Sequence, residues 1–315
     1  LYLIEGAFSD IVRYASAAVD PRADWIIKIA HLLCEPLGSG RVFTHTTGTP
    51  EDWYTSDRTP SWREVVPGDL LLPGIYQFET THPIGLSKIS ERQSHSVTAS
   101  ESVSNSSTFR TQLNERDGGC VLTRQLFPLA ASHLIPMRIG SDGARETVER
   151  FAGVAEATGI NQFDPRVGIM LFKGVDHWID VYDAAFYHIA NDTYTLHNFN
   201  PNFPGASVFG TGTNTLGSNM PPLHGFQVAL SVRAGVHPLP PPGVFNWHYL
   251  QCVIKRFGTL QYRNIPDIIF FVYPFRTASE SDGLNDEDSD DLDRNPPYPS
   301  YRVDRYLHQV SESHQ

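Results

Sequence analysis

Residues 116–138 read RDGGCVLTRQLFPLAASHLIPMR, and the fold turns on how they are read. Two short apolar runs, CVLT from Cys120 and AASHLIP ending at Pro136, flank a polar loop that contains Pro128. That pattern predicts a hairpin over 119–136. His133 falls near the end of its second strand, just before Leu134, Ile135 and Pro136. On its own, such a His is a strand-end residue with a structural hydrogen bond.

Working outward, the chain reads as an alternation of helices and short strands. Upstream, TFRTQLNERDGG places Phe109 and Leu113 one helical turn apart, with Gly118–Gly119 as the stop. The polar run from Ser94 to Ser107 reads as a loop whose serines cap that helix. Further upstream, DWIIKIAHLLC (24–34) has helical spacing, and RVFTH and GIYQFET read as strands. Downstream, ARETVERFAGVAEA predicts one amphipathic helix with Val148, Phe151, Val154 and Ala155 on a shared face. GIMLF (168–172) is a short extended run. GVDHWIDVYDAAF (174–186) predicts a helix with Val175, Ile179 and Tyr182 inward. FYHI and YTLHNF flank Asn191–Asp192 as a hairpin. VFNWHYLQCVIKRFG is a last helix with a Gly stop.

The motif halves at 116–138 and 164–186 together resemble the HNH nuclease domain in the version common in fungal proteins. That version opens with Arg-Asp-Gly and a CVVTG run, continues to HIIP, and reaches RNGLLL and LHxxFD. The likeness covers roughly residues 108–190. It implies an α+β fold, with a ββα-metal (HNH-like) core and flanking helices and short strands. It also implies metal-dependent hydrolysis of nucleic-acid phosphodiesters. One divalent ion, Mg²⁺ or similar, would supply the electrostatic stabilisation. His133 falls on the general-base position, where a neutral imidazole takes a proton from water.

The second half departs from the family pattern. Val167 stands where the central Asn belongs, with Asn161 nearby but out of register. Aligned without a gap, the family's metal-binding His falls on Asp176 and its Asp, four residues on, falls on Asp180. His177 is one residue off, about 100° round a helix. Three readings stay open: Asp176 is an oxygen ligand, which a hard ion accepts; the helix shifts to use His177; or both lie on a solvated face. Ser132 occupies a position where many HNH domains carry a metal-binding Asp. Thr123 replaces the second Cys of the zinc-knuckle variants, so no structural zinc is expected. Arg138 and Arg145 are candidate phosphate contacts. The runner-up function is a catalytically inactive remnant that binds a protein or nucleic acid.

Composition bounds these readings. The 315 residues are 40% hydrophobic and 11% aromatic, as in a globular protein. No apolar run is long enough for a membrane span, so no membrane partner is expected. Cys34, Cys120 and Cys252 are widely spaced and odd in number, which fits a reducing, intracellular setting, cytoplasmic or nuclear. Eight acids between Ser279 and Asp293 supply most of the net charge of −11. They predict a disordered acidic tail over 276–315. The remaining chain divides into an N-terminal helix and strand module (1–95) and the nuclease-like domain with its C-terminal extension (108–275). A nucleic-acid partner, DNA before RNA, calls for a basic surface that these totals do not supply. A protein partner is the alternative.

Overall fold

The computed structural model describes residues 3–15, 21–34, 40–45, 62–80, 83–90, 102–209, 221–230, 236–264 and 269–271. In chain order its elements begin with helices α1 (Phe8–Ala15) and α2 (Asp24–Cys34). Strands β1 (Gly40–His45), β2 (Arg63–Val65), β3 (Ile75–Thr80) and β4 (Pro83–Gly85) follow. The middle comprises α3 (Ser102–Asp117), β5 (Leu129–His133), α4 (Gly140–Ala152), α5 (Val154–Ala157), β6 (Gly168–Phe172) and α6 (Lys173–Asp180). Strands β7 (Ala184–Ala190), β8 (Thr193–Asn198) and β9 (Gln227–Ala229) come next. Helices α7 (Pro242–Phe257) and α8 (Leu260–Arg263) and strand β10 (Ile269–Phe271) complete the set. The architecture is mixed α+β with small antiparallel sheets, ordered β2-β1-β3, β10-β4, β5-β6 and β7-β8-β9. No helix among the described residues is long and apolar enough to cross a membrane.

Helix α7 explains how these sheets share an interior. Pro242 occupies its first turn, where a missing N–H does no harm. Twelve of its sixteen residues are buried, so it is apolar nearly all round rather than on one stripe. Its first turns, Val244, Phe245 and Trp247, join one core with α4, α6, β6, β7 and β8. Its later turns, from Tyr249 to Phe257, join a second core with α1, α2 and β1. Gly243 lets the helix start against α4, since a Cβ there would lie 2.2 Å from the Phe151 carbonyl oxygen. The residues expected to form a separate N-terminal module are thus built into the same compact unit, residues 1–274. Trp25 Nε1 donates to Tyr249 Oη at 2.8 Å, and Ile4 bridges Gly258. The predicted acidic tail lies outside the described residues.

Several expected elements change. CVLT is buried as expected, but it is a turn and not a strand. Positive φ at Gly118, Gly119 and Arg124 bends the chain back, and the Arg124 N–H closes onto the Cys120 carbonyl. The partner of β5 is therefore β6. Helix α3 starts at Ser102, inside the run read as loop, because Ser and Asn weaken a helix by only tenths of a kcal/mol each. The long helix expected over 144–157 breaks at Gly153, φ 99°, which turns Val154 and Ala155 out to solvent. Helix α6 stops at Asp180. Tyr182 adopts φ 61°, and Ala184–Phe186 belong to β7. Tyr182 is still buried, as expected.

The tie between α3 and the β5–β6 sheet is a buried ion pair. Arg116 and Asp117 follow Phe109 and Leu113 on the inner side of α3, and both charged side chains are fully buried. All five guanidinium N–H groups have acceptors. Nε and Nη2 bind the two Asp117 oxygens at 2.6 and 3.0 Å. Nη1 donates to the carbonyls of Pro165 and Pro238, and Nη2 to that of Gly168. Asp117 Oδ2 also accepts the Met170 N–H at 2.8 Å. Removing one partner strands the other charge in the interior. Arg116→Met is expected to lower unfolding free energy by about 3–5 kcal/mol. Arg145→Ala, which breaks an exposed pair with Asp142, should change it by less than about 0.5 kcal/mol. Urea denaturation of both variants checks this, and equal effects would refute the structural role of the clamp.

Candidate functional site

Strand alternation decides where the site residues point. Paired residues of β5 and β6 share a face, and successive residues take opposite faces. Ala131 pairs with Met170 and His133 with Gly168, and these face α3. Ala130 pairs with Leu171 and Ser132 with Ile169, and these face the main core and α6. Adjacent residues Ser132 and His133 therefore serve two different environments.

On the α3 face, the His133 ring stacks on Phe109, centroids 4.3 Å apart and planes 23° apart. Phe163 meets it edge-on at 6.2 Å. Gly168 makes this slot possible, because a Cβ there would lie 2.4 Å from the Phe109 ring. Burial pushes the His133 pKa down to about 4, against a hydrogen bond to the Gln162 backbone that pulls it up. Nε2 is buried without a hydrogen-bond partner among the described residues.

On the other face, α6 follows β6 directly and anchors through Val175 and Ile179, both fully buried. Asp176 is half-buried beside Ser132. Burial raises its pKa, the Ser132 hydroxyl lowers it, and the nearby Asp180 carboxylate raises it again. The Ser132 hydroxyl is buried and falls outside strict hydrogen-bond geometry. His177 and Asp180 are exposed. Of the three predicted ligands, Asp176 alone turns toward β5. Among the described residues no group of three or more His, Cys, Asp or Glu side chains is arranged to hold a metal ion.

The remaining candidates have structural partners. Val167 is fully buried, and its carbonyl accepts the Leu134 N–H. The turn before it is braced instead by Asn161, which accepts the Phe163 N–H, and by Asp164, which caps and pairs with Arg166. Arg138 donates to the Ser90 carbonyl and to Tyr182 Oη, so it is not a free phosphate contact. His188 binds the Asn191 carbonyl, His197 binds Tyr249 Oη, and His248 binds the Ile179 carbonyl. The sequence reading passed over Phe109 and the Arg116–Asp117 pair as parts of the site. A signal for them was present: Arg116 and Asp117 follow Phe109 by seven and eight positions, on one helical stripe.

The chain matches no protein-family model, no curated protein and no solved structure at a significant level.

The slot around His133 sets a pH dependence. The folded imidazole takes up a proton less readily than the unfolded one. Its contribution to stability is complete above about pH 6.5 and is lost as pH falls through that value toward about 4. Filling the slot with Phe removes both this loss and the unpartnered Nε2. His133→Phe is expected to match or exceed the wild type near neutral pH. At pH 5 its advantage should grow by about 2 kcal/mol. Urea titrations at the two pH values measure the difference. Parallel losses in both proteins would mean that His133 is already solvated.

Proposed function

We propose that residues 102–209 carry an HNH-type ββα unit that has kept its scaffold and given up hydrolysis, and that the chain works by binding a protein partner. Support for the scaffold comes from the order β5–β6–α6, with the helix lying across the strand that ends in His133. The loss of hydrolysis rests on one observation: His133 and Asp176 sit on opposite faces of the β5–β6 sheet. A base and a ligand that serve one water must converge within hydrogen-bond reach of it.

The divalent ion that the resemblance implies fits these residues poorly. A hard ion of this kind takes six or more oxygen ligands. The groups that face each other here are one carboxylate, Asp176, and one hydroxyl, Ser132. No catalytic step is derived through such an ion. The choice of a protein partner follows from charge and exposure. The chain is acidic, whereas phosphate contacts need a basic surface. Leu126 and Phe127, adjacent at a loop tip, are 74% and 84% exposed, an apolar protrusion suited to a protein contact.

A second reading, active nuclease, draws on the unpartnered His133 Nε2 beside the Ser132–Asp176 pair. The two separate in one assay, with purified protein, single- and double-stranded DNA and RNA, and Mg²⁺ or Mn²⁺ against chelator. The expected result is no chelator-sensitive cleavage and no change in His133→Ala. Cleavage that chelator abolishes and that His133→Ala lowers by about 10²–10⁴-fold would overturn the proposal in favour of the enzyme. Binding to any of these nucleic acids tighter than about 10⁻⁶ M at physiological salt would overturn the choice of partner.

A further inference from the structure

We propose that Lys28 is a reactive amine of this chain, a site acylated by small acyl thioesters. The inference is independent of the nuclease-like unit, because Lys28 lies on α2, at the contact between that helix and β7. Its Nζ sits 4.3 Å from the centroid of the Tyr187 ring and donates to the His188 carbonyl at 2.9 Å. The Tyr187 ring is itself fixed, stacked at 8° on His197, whose Nδ1 is hydrogen-bonded to Tyr249 Oη. Lys28 is half-buried on α2, and its amine has no carboxylate at ion-pair distance among the described residues. Lys255, by contrast, is paired with Asp183.

This setting holds the amine in place while withholding the anion that would stabilise its charged form. Burial pushes the Lys28 pKa down to about 8. At pH 7.4 roughly a fifth of such an amine is neutral, against roughly 0.1% for a solvated lysine. The neutral amine attacks the thioester carbonyl carbon and a C–N bond forms. The C–S bond breaks, the thiolate leaves, and the amine proton passes to it through water. The products are an amide and a free thiol, with no redox change. The half-buried position admits an acyl group of a few atoms. Acylation removes the positive charge over Tyr187 and leaves one N–H donor where there were three. The link between α2 and the His188 carbonyl is thereby weakened.

The chain has only four lysines, Lys28, Lys88, Lys173 and Lys255, so each can be followed by peptide mass spectrometry. Folded full-length chain would be treated with S-acetyl-N-acetylcysteamine, a small acetyl thioester, from pH 6.5 to 10. Lys28 is expected to acetylate at least about 10-fold faster than the exposed Lys173 at pH 7.4. Its rate should level off near pH 8, while that of Lys173 keeps rising. In urea-unfolded chain the two rates should converge. A Lys28 rate equal to or below that of Lys173 in the folded chain overturns the proposal, whatever the pH profile. A Lys28 rate that is faster but still climbing at pH 10, or that survives unfolding, overturns it as well.

Discussion

One guanidinium has to be satisfied inside this protein, and much of the middle of the chain is arranged to satisfy it. Arg116 is fully buried, and a buried charge is tolerated only with a counter-ion and a full set of acceptors. Asp117 supplies the charge, and three carbonyls supply the rest. Those carbonyls come from Pro165, Gly168 and Pro238, which are far apart in sequence. Meeting the five donors therefore fixes the end of α3, the entry to β6 and the approach to α7 together. Because Asp117 also takes the Met170 N–H, the register of β6 is tied to the same point. A one-residue slip of β6 would exchange its two faces. The clamp thus helps to decide that Gly168 lies opposite His133 and that Ile169 lies opposite Ser132.

The two-faced sheet gives its neighbouring polar residues different fates. His133 becomes part of an aromatic layer between α3 and the strands. Ser132 turns to Asp176, at a spot where a buried carboxylate is held uneasily by one hydroxyl and a nearby like charge. The position that resembles a general base is thus dry and packed. The position that resembles a ligand is half-open. Packing has taken over one residue and left the other to solvent.

Much of the scaffold was legible in the sequence, and the reasons are local. Helices α2 and α7 and the hairpin of β7 and β8 carry strong periodicity and clear punctuation, and they lie where expected. CVLT was misread because short apolar runs are ambiguous, and the glycines before it set a turn instead. The pairing of β5 with β6 depends on residues some forty positions apart, which period and propensity do not report. His133 and Asp176 were identifiable as residues, but not the sheet face each one takes. Faces depend on register, and register here depends on a buried ion pair that looks, in sequence, like two ordinary charges at a helix end.

Helix α7 also has a consequence for the making of the protein. The N-terminal core closes on residues that the ribosome adds last among the described elements. Trp25 reaches its partner Tyr249 only after a further 224 residues. At roughly 5–20 residues per second, that is on the order of ten to forty-five seconds. During that interval the inner faces of α1 and α2 have no lasting cover. Nascent chains of this protein would therefore expose Trp25, Ile26, Ile29 and Leu33 long before a core exists to receive them. Their exposure makes the early chain a client for any factor that shields apolar helices during translation.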